Sequence, residues 1–201
     1  MNEPLALLLL AAGHSRRFGA DKLNQQIDGQ TLLQHSYQVL SASCDAPIFV
    51  ARQAGTAPLP WLPSAHQLNC KTAYQGLGYT ISEAISRLTT MGYTRVLLSL
   101  ADQVALTTSD HQQLVARHQQ LGASVASSYD DVVGVPALIC GEQLQALKGL
   151  AGDRGAQAML QSLPIQQRLA NPNAAIDIDT PSDLHRYLQQ RQSSKQTHST
   201  E

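Results

Sequence analysis

Short apolar runs alternate with amphipathic segments along most of this chain. Residues 5–10 form a continuous apolar run, typical of a strand buried on both faces of a parallel sheet. Shorter apolar runs predict further strands over 47–51, 66–69, 95–100, 123–127, 132–139 and 174–178. Apolar residues at helical spacing predict helices over 31–40, 80–90, 107–121, 142–147, 154–163 and 181–190. This alternation predicts an α/β fold with a largely parallel sheet.

The pattern also marks element ends and the limits of the domain. Thr108 or Ser109 is available to cap the third helix, and Thr180 followed by Pro181 marks the start of the last one. Residues 54–63 contain three prolines and Trp61, which predicts an irregular loop. Neither a repeat nor a linker interrupts the chain, so we expect one domain over 1–190. The polar, aperiodic residues 191–201 predict a flexible tail.

Composition narrows the class of protein. The 201 residues are 43% hydrophobic but only 14% charged, with a formal net charge of -1. A basic excess that would favour nucleic acid or a membrane surface is absent, so we expect neither partner. The longest apolar run, 5–12, is too short to span a bilayer. Three scattered cysteines predict neither a disulfide framework nor a zinc site, which favours a reduced, cytoplasmic setting.

Ligands of open α/β sheets bind beyond the carboxyl ends of the strands, which directs attention to 11–22, 75–80, 101–104 and 177–180. The first of these segments follows a buried strand and contains Gly13 and Gly19, which allow backbone N–H groups to approach an anion. Arg16 and Lys22 add a planar fork and a point charge, suited to a triphosphate. The segment is neither a Walker A loop nor a GxGxxG motif. The alternative is an ordinary loop with solvated cations.

Carboxylates mark two of the other segments. Asp102 directly follows a buried strand, where it suits Mg²⁺ against nucleotide phosphates; the alternative is a helix cap. In the predicted strand 174–178, alternation would place Asp177 and Asp179 on one face. One of them would complete a metal site with Asp102, with Asp177 slightly favoured, and the other would cap the last helix. Gly76 and Gly78 open a helix, where their N–H groups would face a ligand.

The first segment resembles the LAAGxSxRxGxxK signature of the MobA-like NTP transferases, which include molybdenum cofactor guanylyl- and cytidylyltransferases. Phe18 replaces the usual Met, and every fixed position matches. The resemblance implies a three-layer α/β/α, Rossmann-like nucleotide-diphospho-sugar transferase fold. It also implies catalytic roles for Arg16, Lys22 and Asp102. The nucleotide-binding residues that it implies are Leu10, Ala11, Ala12, Gly13, Ser15, Arg16, Lys22, Gln75, Gly76, Gly78 and Thr80.

Three later segments are also similar to family motifs. Residues 99–104 resemble LGDQP, with Ala101 and Val104 as departures, and residues 176–184 resemble DIDTPEDL. Residues 152–157 resemble GDxGAR, with Gln157 in place of Arg. The resemblance implies that Asp102 is a metal ligand, with Asp177 or Asp179 as the other candidate, and that the acceptor-side residues are Gln103, Asp153, Arg154 and Gly155.

The resemblance implies a reaction as well. The expected activity is Mg²⁺-dependent transfer of a nucleotidyl group from an NTP to a phosphate acceptor, with release of pyrophosphate. Ala11–Ala12 is the form typical of cytidylyl members, which implies CTP and a molybdopterin-type acceptor. The product would serve a molybdenum enzyme of the xanthine dehydrogenase class. The alternatives are transfer to another small sugar or alcohol phosphate, and a non-catalytic chaperone that holds molybdenum cofactor.

Overall fold

A computed structural model describes residues 3–13, 18–19, 21–153 and 155–198, with side chains as far as Gln192. Within these ranges the β-strands are β1 (Leu5–Leu10), β2 (Gln26–Ile27), β3 (Gln30–Thr31), β4 (Ile48–Gln53), β5 (Gln67–Cys70), β6 (Arg95–Leu100), β7 (Val125–Tyr129), β8 (Val132–Cys140) and β9 (Arg168–Ala170). The α-helices are α1 (Leu32–Ser41), α2 (Leu77–Thr90), α3 (Thr108–Leu121), α4 (Gly141–Leu147), α5 (Gln157–Gln161) and α6 (Pro181–His198).

A seven-stranded sheet forms the centre, in the order β5-β4-β1-β6-β8-β7-β9. All neighbours pair in parallel except those of β8, which runs antiparallel to β6 and β7. The short strands β2 and β3 form a separate hairpin after the first loop. The sheet is therefore mostly parallel, and its fold is the Rossmann-like one that the first loop implied.

The apolar runs are continuous because helices cover both faces of the sheet. From β1, Leu8 points into a core with Ile81 and Ile85 of α2, and α4 and α5 cover the same face. Leu7 and Leu9 point the other way, into a core with α1 and α3. Full burial of one such leucine contributes about 1.5–3 kcal/mol, so each helix layer is stabilised by several kcal/mol of apolar contact.

A third, smaller core joins α6 to the site. Phe18 and Ile27 pack with Val104 and Ile178, and the apolar side of α6 packs against them through Leu184, Tyr187 and Leu188. Tyr187 Oη donates a hydrogen bond to the Val104 carbonyl over 2.8 Å. The C-terminal helix thereby fixes the turn after β6 against the segment that follows the first loop.

Three element predictions were wrong. Residues 174–178 do not form a strand: Pro172–Ala175 is a 3-10 turn and the chain is irregular from there to Asp179, whereas β9 was not predicted. Pro172 begins the turn and has no N–H group to donate to a neighbouring strand, so the segment does not join the sheet there. Ile178 makes a single backbone hydrogen bond to the site, from its N–H to the Asp102 carbonyl. The predicted helix over 154–163 is shortened to α5.

The third is a cap. Thr107, rather than Thr108 or Ser109, caps α3 by a reciprocal pair of hydrogen bonds with Asp110. One helix end also differs from the expectation, because α6 continues past Gln190 to His198. Glutamine, arginine and lysine are good helix formers, and neither glycine nor proline stops the helix there.

Candidate functional site

The carboxyl ends of β1, β4 and β6 bring the first predicted segment and Asp102 to one edge of the sheet. Leu10 is in register with Ala51 and Leu100. Backbone hydrogen bonds continue past the strands, from Ala11 N–H to the Ala51 carbonyl and from Ala101 N–H to the Leu10 carbonyl. The residues that follow these strands therefore emerge side by side.

Lys22 lies between two carboxylates at this edge. Its ammonium nitrogen is 2.8 Å from Asp102 Oδ2 and 3.0 Å from Asp179 Oδ1. Its side chain is only 8% exposed, whereas those of Asp102 and Asp179 are 23% and 39% exposed. Residues distant in sequence thus form one ion cluster, and each of them is a residue that the sequence placed at the site.

The local structure explains how the three groups meet. Lys22 begins a 3-10 turn, Lys22–Asn24, and Asp102 follows β6 directly. Asp179 is held near them because Ile178 is completely buried and bonded to the Asp102 backbone. A capping box between Thr180 and Asp183 then starts α6, so neither Asp177 nor Asp179 caps that helix.

The charges around this cluster shift the pKa of Lys22 and that of the nearby Asp177. Burial lowers the pKa of Lys22, but the charge of Asp102 and the hydrogen bonds to Asp102 and Asp179 outweigh it, so the pKa is raised. Partial desolvation raises the pKa of Asp177, and the charges of Asp179 and Asp102 raise it further. Lys22 therefore stays an ammonium at neutral pH, between the carboxyl groups of Asp102 and Asp179.

The donor set fits a hard divalent cation. Asp102 Oδ1 is buried without a hydrogen-bond partner in the described part of the chain, although its other oxygen binds Lys22. Buried unpaired carboxylate oxygens are costly, and oxygen is the ligand that Mg²⁺ and Mn²⁺ prefer. In the same ranges, no three side chains of the His, Cys, Asp and Glu types converge as a metal site. Asp102 and Asp179 thus offer a partial site, to which substrate phosphate would add ligands.

The first loop is described only in part. Leu10 and Ala12 are buried, Ala11 is half-buried and Gly13 is exposed. Predicted residues Ser15 and Arg16 lie outside the described residues. Among the predicted nucleotide-binding residues of this loop, Leu10 belongs to the core, and the three that follow it reach the surface of a cavity.

That cavity has a volume of about 730 Å³, within the usual range for small-molecule sites. One wall is Ala11, Ala12 and Gly13, and the other is the proline-rich loop with Trp61. Arg52, at the end of β4, and Asp21 supply charged groups. Sequence reasoning missed Arg52, although the rule about strand ends would have found it had the end of β4 been considered with the others.

The glycine segment at the start of α2 has another role than predicted. The N–H of Gly76 donates to Ala73 and that of Gly78 donates to Gly152, so neither is available to a ligand. Both glycines are buried, and a Cβ at Gly78 would lie 2.7 Å from the Ala151 carbonyl oxygen. These glycines allow α2 to pack tightly against residues 151–153. Thr80 is 1% exposed and its hydroxyl donates to the Gly76 carbonyl, whereas Gln75 is exposed.

Of the predicted acceptor-side residues that the structure describes, some are buried and bind other parts of the chain, and one is exposed. Gln103 is 3% exposed and its amide donates to the carbonyls of Val135 and Ala174, so it ties backbone segments together and does not face an acceptor. Gly155 is buried against Leu77 of α2. Asp153 is exposed beside Gly76, and Arg154 lies outside the described residues.

Comparison with known proteins now places this geometry. The family model described as the MobA-like NTP transferase domain matches residues 7–169. The chain belongs to this family. It is therefore a nucleotidyltransferase, and its Lys22 and Asp102 lie within the matched part, whereas Asp177 and Asp179 lie beyond it.

Curated relatives agree with the family. The purine catabolism protein PucB of Bacillus subtilis is 26% identical over 190 residues, which cover 88% of this chain and 92% of PucB. A probable molybdenum cofactor guanylyltransferase of Mycobacterium tuberculosis is 27% identical over 195 residues, which cover 92% of this chain and 94% of that protein.

Solved structures confirm the fold of the transferase. Rv0371c of M. tuberculosis H37Rv superposes with a TM-score of 0.73 and 21% identity, covering 93% of this chain and 98% of its own. A manganese complex of Rv0371C superposes with a TM-score of 0.70 and 19% identity, covering 92% of this chain and 98% of its own. The complex of CMP:2-keto-3-deoxy-manno-octonic acid synthetase with CTP superposes with a TM-score of 0.66 and 11% identity, covering 96% of this chain and 100% of its own. Within the described ranges of the transferase, no helix is both long and apolar enough to cross a membrane.

Proposed function

We propose that this transferase moves CMP from CTP to the phosphate of a molybdopterin-type acceptor, with Mg²⁺, and releases pyrophosphate. The observation that carries the proposal is the ammonium group of Lys22, held 2.8 Å from Asp102 and 3.0 Å from Asp179; the preceding residue, Asp21, lines the same cavity as Ala11–Gly13. A nucleotide in that cavity would have its phosphates next to both the lysine and the carboxylates.

The proposed step is an in-line substitution at phosphorus. An oxygen of the acceptor phosphate forms a bond to the α-phosphorus, and the bond from that phosphorus to the α–β bridging oxygen breaks. The electron pair leaves with pyrophosphate. A phosphomonoester is largely ionised near neutral pH, so the protein need not supply a general base. What the chain must supply is alignment and compensation of negative charge.

Lys22 and Asp102 would have different roles in this reaction. The Lys22 ammonium would stabilise the negative charge that grows on the leaving pyrophosphate, and its raised pKa keeps it protonated for that purpose. Asp102 and Asp179 would hold the divalent cation, which when bound neutralises phosphate charge and orients the reacting oxygens. The Asp102 carboxylate is partly buried, with 23% of its side chain exposed, so water screens its charge less than at a fully exposed site.

The choice of CTP rests on Ala12. Its methyl group is almost buried in the cavity wall and narrows the space that a purine would need. The CTP in the synthetase complex is consistent with a cytosine nucleotide on this fold. The guanylyltransferase relative favours GTP as the second candidate, with the same reaction and acceptor class.

The acceptor and the client enzyme are supported by the relatives. A molybdenum cofactor transferase among them favours a molybdopterin-type phosphate. A relative named for purine catabolism is consistent with a client of the xanthine dehydrogenase class, because xanthine is a purine. Transfer to another sugar or alcohol phosphate, or cofactor holding without catalysis, would show in the assay below.

The test is turnover of Asp102→Asn. Pyrophosphate release should be measured with molybdopterin and each of CTP, GTP, UTP and ATP, in Mg²⁺ and in Mn²⁺. We expect CTP to be preferred and the variant to lose on the order of 10²–10³ in kcat, because it loses a charge at the reacting phosphates. The matched control is Asp45→Asn, because Asp45 is an exposed aspartate shortly before β4 and is distant in sequence from Asp102. Wild-type rates in Asp102→Asn would disprove the metal-site role, and absence of any turnover would favour the cofactor-holding alternative.

A further inference from the structure

Arg52 forms a polar corner inside the cavity, at the end of β4. It is half-buried, and its Nη1 donates a long hydrogen bond of 3.4 Å to Gln67 Oε1. A guanidinium group has five N–H donors in a planar fork. Most of these donors have no acceptor among the described residues, so the fork is available to a ligand in the cavity.

The wall around Arg52 is already fixed without a ligand. Gln67, which is only 7% exposed, donates to the carbonyls of Leu59 and Leu62 over 3.0 and 2.7 Å and accepts from the Leu59 N–H. The ring of Trp61 contacts that of Tyr37 edge-on, with centroids 5.0 Å apart. A cavity that is rigid beforehand loses little conformational entropy on binding, which favours selectivity.

The position of the cavity indicates which part of a nucleotide it takes. Its opposite wall is the Ala11–Gly13 segment, and Asp21 in its lining directly precedes Lys22. Lys22, Asp102 and Asp179 themselves do not line it. A nucleotide whose phosphates lie at Lys22 would therefore place its base in the cavity, toward Arg52.

We infer that Arg52 recognises the nucleobase of the bound nucleotide, an inference that rests on the proposed function. The fork of an arginine fits a base edge with two adjacent acceptors. Cytosine offers O2 and N3, and guanine offers O6 and N7. Uracil places an N–H donor between its carbonyls, and adenine places its amino group beside N1 and N7. Arg52 thus selects cytosine or guanine against uracil and adenine, and Ala12 narrows the choice to cytosine.

The test separates charge from geometry. Binding of CTP, GTP, UTP, ATP and inorganic tripolyphosphate should be measured by calorimetry for wild type, Arg52→Lys and Arg52→Met. Arg87→Met, at a half-buried arginine of α2 that does not line the cavity, is the matched control. We expect Arg52→Lys to lose roughly five- to hundredfold in CTP affinity and most of its preference over UTP. Tripolyphosphate affinity should stay within about twofold, since that ligand has no base.

Two results would overturn the inference. Unchanged ranking of the bases in both Arg52 variants would show that Arg52 does not read the base. An equal loss of CTP and tripolyphosphate would make it a phosphate contact. The proposed function fails separately, when wild type binds CTP but releases no pyrophosphate; a wild type that binds no nucleotide overturns both.

Discussion

Replacing Lys22 with methionine keeps a similar apolar stem but removes the ammonium group that Asp102 and Asp179 share. Removing one partner of a buried ion pair costs roughly 3–5 kcal/mol. Here the carboxylates keep 23% and 39% of their side-chain exposure, so water compensates part of the loss. We therefore expect Lys22→Met to lower the free energy of unfolding by about 2–3 kcal/mol, a fall in Tm of roughly 4–12 °C for a chain of this length.

The deficit of Lys22→Met should depend on pH and on divalent cations. In wild type the pKa of Lys22 is raised above its ordinary 10.5. Its contribution is therefore complete below that value and is lost as the pH rises through the folded pKa. Mn²⁺ or Mg²⁺ should restore part of the lost stability, because a cation can replace the ammonium between the carboxylates.

Urea unfolding at several pH values, with and without Mn²⁺, measures these effects. Lys71→Met is the control, since Lys71 is exposed. If Lys22→Met were no less stable than Lys71→Met at pH 7, the ion cluster would not contribute to folding and the reasoning would be refuted. A deficit that did not shrink as the pH rose through the raised pKa of Lys22 would show that it comes from packing and not from charge.

Two further predictions concern the surroundings of the site. Gly78→Ala would place a Cβ 2.7 Å from a backbone oxygen, so we expect a loss of about 1–3 kcal/mol in urea unfolding; Gly149→Ala, whose nearest atom is 3.6 Å away, should lose less, and equal losses would contradict the packing argument. Burial, with the charge of Glu83, raises the pKa of Cys70 to about 12, so a thiol reagent at pH 8 should label it only after unfolding; rapid labelling of Cys70 in the native protein would contradict its burial.

The central strands could be predicted because burial on both faces leaves an unbroken apolar run, as in β1. β9 is too short and half-exposed to leave such a pattern, and it is held by pairing with β7, a contact that no local signal encodes. The same limit applies to α5, where burial of Leu160 depends on β8 rather than on a long periodic face.

At the site, the chemical character of Lys22 and Asp102 was predictable, but the inward or outward direction of their neighbours was not. Gln103 follows Asp102 and is equally polar, yet it turns into the protein because two backbone carbonyls there need a donor. Arg52 was missed because a cation at the end of a strand has the same sequence pattern whether it faces solvent or a cavity. The cavity is created by the loop that Gln67 fixes, through hydrogen bonds to Leu59 and Leu62 that leave no periodic pattern in the sequence.

For Asp177 and Asp179 too, the chemical character was predictable from the sequence, but the positions of the side chains were not. Alternation along a strand would make Asp177 and Asp179 equivalent, and Asp177 was slightly favoured as the metal ligand. The segment is irregular, however, and its position is set by Ile178, which is buried and bonded to the Asp102 backbone. Asp179 then binds Lys22 over 3.0 Å, whereas the pKa of Asp177 is raised by partial desolvation and by its acidic neighbours. Because Asp179 already binds a cationic group beside Asp102, we expect Asp179 rather than Asp177 to be the partner of Asp102 in a metal site.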